Sequence, residues 1–203
     1  MAGEIGSRET GVTPGRSATI VCFGDSITNG FGVEPDQSFP AILGRILGVR
    51  VSNAGVDGDT TDGGLARVES DMLRHKPDVV TVEFGANDYL MGVAEDEAGR
   101  NIELMLARIQ ETGARAVVLS LGAGFWDEEY EAALHEAAGS HGSPFLTGLL
   151  DGIANNSMMT LDGIHPNAPG YVVIARKIAD FLQQTGLLGE TRPDSGESQE
   201  CDS

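Results

Sequence analysis

The sequence has few cysteines and no long apolar run. Cys22 and Cys201 are the only two cysteines in 203 residues, which is too few for a disulfide framework or a cysteine-based zinc cluster. No apolar stretch approaches the roughly 20 residues that a bilayer-spanning helix needs, so we expect no stable membrane insertion. The segment 1–17 contains no apolar stretch of the kind that forms the core of a signal peptide. A cytoplasmic location is therefore the default expectation, and a periplasmic or secreted one follows if a signal was removed before this numbering.

Basic residues are also scarce. The chain has 13 Lys and Arg against 31 Asp and Glu, which gives a formal net charge of -18. A field of this sign repels phosphate backbones, so we expect no nucleic-acid partner. Lys76 and Lys177 are the only lysines, and an acidic, lysine-poor surface would also suit a high-salt environment. Salt adaptation remains a compositional hypothesis.

Apolar runs of strand length alternate with longer segments of helical periodicity, which is typical of parallel βαβ units. Strands are predicted at 18–23, 50–53, 79–84, 116–121 and 144–147, and helices at 39–47, 61–74, 97–111, 128–138 and 168–182. The strands lack polar alternation, so helices should cover both faces of the sheet. We therefore predict an α/β fold, a three-layer αβα sandwich with a five-stranded parallel sheet. It forms one domain over 17–188, between a flexible segment 1–16 and a disordered acidic tail 189–203.

Four polar segments lie beside the ends of the predicted strands or the start of the last helix. Gly-Asp-Ser26 follows the first strand, Asn-Ala-Gly55 ends the second, Gly-Ala-Asn87-Asp follows the third, and Asp162-Gly-Ile-His165 precedes the last helix. The carboxyl ends of parallel strands meet at one edge of a sheet, so these segments should converge. His165 would take the proton of the Ser26 hydroxyl, and Asp162 would hold the imidazole. The N–H groups of Ser26 and Gly55 and the amide of Asn87 would bind the oxyanion.

Each segment alone also has a purely structural interpretation. Gly-Asp-Ser is a common strand-to-helix turn, Gly55 could supply a positive φ, and Asn87 could cap a helix. His165 precedes a proline and could simply lie at the start of a helix, and Asp162 could be an ordinary loop acid. The conjunction of all four segments, each at the appropriate place in the topology, favours the catalytic interpretation.

Taken together, these segments resemble the sequence blocks of the SGNH hydrolases, also called GDSL esterases, over most of the chain. They are most similar to the branch of arylesterases, acyl-CoA thioesterase I and lysophospholipases. The resemblance implies a flavodoxin-like fold, Ser26 as nucleophile, Gly55 and Asn87 as oxyanion donors, and Asp162 and His165 as the rest of the triad. The implied activity is hydrolysis of small acyl esters or thioesters through an acyl-enzyme intermediate.

Five apolar and aromatic residues are candidates for the acyl pocket. Tyr89, Leu90 and Met91 follow the third segment closely, and Phe125 and Trp126 lie in the loop after the fourth strand. Apolar side chains beside an oxyanion donor suit an acyl chain. The alternative is that they are core residues beneath the loop.

Two other functions remain open on the sequence: a carbohydrate O-deacetylase that uses the same residues, and a non-catalytic ligand-binding module. No Gly-x-Ser-x-Gly segment of an α/β-hydrolase is present. The aspartates at 57, 59 and 62 do not form a calcium loop, because the glycine required at the sixth position is Asp62. We expect no metal, no cofactor and a small-molecule acyl ester or thioester as partner, and the oligomeric state stays open.

Overall fold

Five parallel strands form the sheet in the part of the chain that the structure, a computed structural model, describes: residues 18–122 and 124–188. The flexible segment predicted at 1–16 and the disordered tail predicted at 189–203 lie outside the described residues. The strands are β1 (Thr19–Gly24), β2 (Arg50–Gly55), β3 (Val79–Glu83), β4 (Arg115–Leu119) and β5 (Phe145–Leu146). Each pairs in parallel with its neighbours in the order β2-β1-β3-β4-β5.

Helices pack on both faces of this sheet, which confirms the predicted three-layer αβα arrangement. They are α1 (Ser26–Asn29), α2 (Phe39–Leu47), α3 (Thr61–Leu73), α4 (Ala86–Met91), α5 (Glu95–Glu111), α6 (Glu128–Ser140) and α7 (Ala168–Gln184), with a 3₁₀ turn at Pro35–Gln37. α2 packs against α7, whereas α5 packs against both α3 and α6. Among the described helices none is long and apolar enough to cross a membrane.

The boundaries differ from the prediction in ways that local chemistry explains. β5 covers two residues rather than the predicted four, and it pairs only with β4. α5 begins two residues earlier than predicted, and its first turn carries Glu95, Asp96 and Glu97, whose charges favour the positive end of the helix dipole. α1 and α4 were not predicted. Both are short, and each begins just after the end of a strand.

The core lies between the sheet and the helices. Ile20, Phe23 and their neighbours in β1 are fully buried. The apolar stripe of α5, which includes Ile102 and Met105, is also fully buried as its spacing predicts. Each such side chain stabilises the fold by about 1.5–3 kcal/mol relative to exposure. Burial also raises the pKa of the Cys22 thiol to about 12, so this thiol stays protonated and behaves as a small apolar residue.

The strand order places a crevice beside the ends of β1 and β3. β2 lies on one side of β1, and β3 lies on the other, so the chain reverses its direction of winding between these neighbours. In open parallel sheets ligands bind outside the carboxyl ends of the strands at such a point. Ser26 begins the helix after β1, and Asn87 lies in the helix after β3. The topology therefore brings these two predicted site residues to the same crevice.

Candidate active site

Ser26 is the first residue of α1 and lies in a tight turn directly after β1. Asp25 is the N-cap of this short helix, and its carboxylate accepts a hydrogen bond of 2.9 Å from the Ile27 N–H. The N–H of Ser26 itself lies in the first helical turn, where no preceding helical carbonyl exists to accept it. The side chain is mostly buried, with 8% exposed. Ser26 thus combines a mostly buried hydroxyl with a backbone N–H that has no acceptor within its own helix.

Ser26, His165 and Asp162 are connected by two hydrogen bonds. Ser26 Oγ lies 3.1 Å from His165 Nε2, and His165 Nδ1 lies 2.7 Å from Asp162 Oδ2. A carboxylate only accepts, so the bond to Asp162 requires a proton on Nδ1. In the neutral ring Nε2 is then the acceptor for the Ser26 hydroxyl. This is the tautomer that general-base catalysis needs.

The loop that carries Asp162 and His165 is held by the same carboxylate. Asp162 Oδ1 accepts from the N–H groups of His165 at 2.8 Å and Ile164 at 3.0 Å. The hydrogen bond from the His165 side chain, followed by that from its backbone, lowers the pKa of Asp162 to about 2. Asp162 therefore remains ionised throughout the neutral range. The ring of Phe31 also lies 4.5 Å from the imidazole, centroid to centroid, and no motif in the sequence indicates this contact.

Gly55 lies at the end of β2, against the backbone of α1. A Cβ added there would lie 2.1 Å from the Asn29 nitrogen, so close approach rather than positive φ requires the glycine. Its N–H donates to the side chain of Asn53 at 2.9 Å. The predicted oxyanion donor therefore has an internal acceptor in this arrangement.

Asn87 is not a helix cap. The N-cap of α4 is Gly85, and Asn87 is the second helical residue. Its side-chain amide donates to the carbonyl of Asp59 at 2.8 Å and to Asp25 Oδ2 at 3.2 Å. The next residue, Asp88, accepts from both the N–H and the hydroxyl of Thr61 at the start of α3. The side chains of Asn87 and Asp88 thus connect α4 to the other segments of the crevice.

Beneath the nucleophile lies a pair of buried acids. Asp25 is fully buried, and Glu83 is almost so. Burial raises the pKa of Asp25 to about 6, and burial together with the nearby Asp25 charge raises the pKa of Glu83 well above its usual range. Glu83 also accepts from the Thr28 hydroxyl at 2.8 Å. In the sequence Glu83 is marked only as an acid at the end of an apolar strand, which assigns it no role.

The five candidate pocket residues differ in exposure, and two of them, Tyr89 and Phe125, are half-buried against the core. Leu90 and Met91 are exposed, with 64% and 67% of their surfaces accessible. Trp126 is buried, packs against Tyr89 and Phe125, and donates its indole N–H to Glu131. These contacts are those of a core residue, whereas Leu90 and Met91 are free to contact a ligand. Glu131 also accepts from the hydroxyls of Ser120 and Thr147, and so holds this loop against the ends of β4 and β5.

Within the ranges 18–122 and 124–188, no three His, Cys, Asp or Glu side chains are arranged to hold a metal ion. Asp59, one of the acids considered for a calcium loop, instead pairs with Arg67 at 2.8 Å.

A parallel αβα sandwich with serine, histidine and aspartate at the carboxyl edge of its sheet is the arrangement expected of a serine hydrolase. Residues 22–173 match the GDSL-like Lipase/Acylhydrolase family, and the chain belongs to that family. It is 32% identical over 159 residues to Esterase TesA of Pseudomonas aeruginosa, covering 73% of this chain and 79% of the relative. It is 31% identical over 179 residues to the Arylesterase of Vibrio mimicus, covering 82% and 88%.

Solved structures agree with this assignment. The crystal structure of TesA matches with a TM-score of 0.76 at 28% identity, covering 82% of this chain and 98% of that one. AlinE4, an SGNH-hydrolase family esterase, matches with a TM-score of 0.66 at 29% identity, covering 86% and 95%. The chain is therefore an enzyme that hydrolyses ester bonds.

Proposed function

We propose that the protein hydrolyses small acyl esters or thioesters through an acyl-enzyme intermediate, with Ser26 as nucleophile, His165 as general base and Asp162 as its orienting acid. One observation carries the proposal: the Ser26 hydroxyl lies 3.1 Å from His165 Nε2, and the opposite ring nitrogen lies 2.7 Å from the Asp162 carboxylate. Both distances are within the range for proton transfer between positioned groups. This mechanism uses side chains and backbone alone.

The first half-reaction acylates the enzyme. His165 takes the Ser26 proton as Oγ attacks the carbonyl carbon, and the anionic Asp162 stabilises the imidazolium that forms. His165 then gives the proton to the leaving alcohol or thiol as the bond to the acyl carbon breaks. In the second half-reaction His165 removes a proton from water, the resulting hydroxide attacks the acyl-enzyme, and Ser26 regains its proton as the carboxylic acid leaves.

The oxyanion of each tetrahedral intermediate would bind the N–H groups of Ser26 and Gly55 and the amide of Asn87. The Asn87 bond to Asp25 is the longer of its two, at 3.2 Å against 2.8 Å to Asp59. We therefore expect the hydrogen directed at Asp25 to turn to the oxyanion, while the bond to Asp59 remains. The Gly55 N–H would likewise be shared between Asn53 and the oxyanion.

The test is turnover of p-nitrophenyl acetate by Ser26→Ala. The variant should fold normally, because it loses one hydroxyl and creates no large cavity, and turnover should be abolished. Ser143→Ala is the matched control, since Ser143 is 7% exposed against 8% for Ser26 and precedes β5. It should retain activity. A folded Ser26→Ala enzyme with half of the wild-type rate would remove Ser26 from the mechanism.

Substrate class is tested by a panel of p-nitrophenyl esters of rising acyl length, together with acyl-CoA and acetylated oligosaccharides. The proposal expects acyl esters or thioesters to be hydrolysed fastest. Much faster hydrolysis of acetylated sugars would instead identify a carbohydrate deacetylase with the same catalytic residues.

A further inference from the structure

Arg67 lies in the middle of α3, outside the four segments that the sequence singled out. Its side chain is 20% exposed, and its guanidinium carbon lies 4.4 Å from the ring centroid of Phe23 and 5.7 Å from that of Phe84. A planar guanidinium stacks on aromatic faces in a way that a lysine ammonium does not. These two rings therefore restrict the plane of the guanidinium independently of its hydrogen bonds.

The guanidinium donates to the backbone of two segments of the proposed oxyanion site. Nη2 donates to the carbonyl of Gly24 at 3.0 Å, and Nη1 donates to the carbonyl of Ala54 at 2.8 Å. Gly24 is two residues before Ser26, and Ala54 immediately precedes Gly55. Arg67 therefore holds together the ends of β1 and β2, from which two of the three proposed donors project.

The third donor is reached through Asp59. Arg67 Nε donates to Asp59 Oδ2 at 2.8 Å, and the backbone carbonyl of the same aspartate accepts the shorter hydrogen bond of Asn87, also 2.8 Å. The remaining bond, from Nη1 to Asp71 one turn along α3 at 2.6 Å, fixes the guanidinium to its own helix. One side chain thus contacts the Ser26 and Gly55 segments directly and the Asn87 side chain through one residue.

Building on the proposed function, we propose that Arg67 is the positioning residue of the oxyanion site: it sets the relative placement of the Ser26, Gly55 and Asn87 donors. It does not touch the substrate. Its effect is on the geometry that the donors present to a charge that exists chiefly in the transition state. Loss of this placement should therefore lower kcat and leave KM nearly unchanged.

The experiment compares p-nitrophenyl acetate hydrolysis by Arg67→Lys and by the wild type. The temperature is one at which circular dichroism shows that both proteins are folded. Lysine keeps the charge but has no planar fork to reach two carbonyls and two carboxylates together. A misplacement of about 1 Å can cost about 10²-fold in rate, so we expect kcat to fall by about that factor. Arg108→Lys is the matched control. Arg108 donates to the Leu65 carbonyl within α3 and lies 3.7 Å from Glu69, and its replacement should leave kcat unchanged.

A double-mutant cycle separates positioning from a general structural role. If Arg67 acts through the donors, the kcat losses of Arg67→Lys and Asn87→Ala should combine to less than their product. Losses that multiply would overturn the proposal, as would a folded Arg67→Lys enzyme with near-normal kcat. If Arg67→Lys does not fold, Asp59→Asn takes its place. It keeps the backbone carbonyl for Asn87 and an oxygen for the Thr60 N–H, and it removes the anionic acceptor of Arg67 Nε. Asp59→Asn should also lower kcat, by a smaller factor than Arg67→Lys. An unchanged kcat in Asp59→Asn would overturn the proposal.

Ser26→Ala in the same assay distinguishes this proposal from the one on which it rests. A fully active Ser26→Ala enzyme would refute the proposed function. An inactive Ser26→Ala enzyme beside a fully active, folded Arg67→Lys enzyme would refute the role of Arg67 alone.

Discussion

Replacing Asp25 with asparagine should change how the free energy of unfolding depends on pH. Asp25 is completely buried, and this burial raises the pKa of its carboxyl from the ordinary 3.8 to about 6, against the opposing hydrogen bond from Ile27. Asparagine has nearly the same shape and is an equivalent N-cap. The variant can therefore keep the bond from Ile27 while it loses the ionisation.

The sign of this pH dependence follows from the direction in which the Asp25 pKa is shifted. At a pH well below 3.8 the carboxyl is protonated in both states and has no effect on stability. As the pH rises from there, the unfolded chain loses its proton first, so the folded state is progressively destabilised until the pH passes about 6. The difference between 3.8 and about 6 corresponds to about 3 kcal/mol. Burial, and then the charge of Asp25, also raises the pKa of Glu83, so the substitution reduces the contribution of Glu83 to the same slope.

The measurement is urea unfolding of the wild type and Asp25→Asn from about pH 4 to about pH 7. The difference between the two free energies of unfolding, variant minus wild type, should increase by up to about 3 kcal/mol from the lower to the higher pH. Asp127→Asn is the control for the cap itself, because Asp127 caps α6 by accepting from Tyr130 at 2.9 Å and lies at the surface. A difference between Asp25→Asn and wild type that stays constant with pH would refute the argument from burial.

Three further predictions concern catalysis. Asn87→Ala should lower kcat by about 10²- to 10³-fold with less effect on KM, and steady-state kinetics with little change in either value would contradict an oxyanion role. Asn87→Asp is less informative, since its carboxylate would face the Asp25 carboxylate and the Asp59 carbonyl and so impair folding as well. The double substitution Leu90→Ala and Met91→Ala should alter the acyl-length preference on p-nitrophenyl esters and barely change the melting temperature. A lower melting temperature with an unchanged acyl-length preference would instead show that these residues serve packing. Hydrolysis should survive EDTA, and a loss of activity restored by a divalent ion would contradict the side-chain mechanism.

The sheet and the catalytic segments could be predicted because their signals are local in the chain. Buried parallel strands appear as short apolar runs, and Asp162 and His165 lie three residues apart in one loop. The short helices α1 and α4 could not be predicted in the same way, because four and six residues are too few to show helical periodicity. Trp126 was predicted to line the pocket because it lies in a loop. The structure buries it against Glu131 and neighbouring aromatic residues, and the loop sequence does not indicate those contacts.

The groups beneath the site could not be predicted because they depend on contacts between distant segments. Asp25 meets Glu83 only because β1 and β3 pair with Gly24 opposite Glu83. Arg67 reaches the Gly24 carbonyl across 43 residues of sequence, and nothing in the spacing of α3 marks it. Such contacts follow from strand order and register, which continuous apolar runs without polar alternation do not determine.

The hydrogen bonds of Asn87 explain how a site with satisfied donors can still bind a developing anion. A buried amide left without acceptors would cost about 1–3 kcal/mol in the free enzyme. Here its two acceptors are unequal, with the Asp59 carbonyl at 2.8 Å and the Asp25 carboxylate at 3.2 Å. Exchange of the longer bond for one to the oxyanion replaces one anionic acceptor by another, so the Asn87 amide keeps two acceptors when the substrate reacts. The shorter bond, supported through Asp59 by Arg67, keeps the amide in place while that exchange occurs.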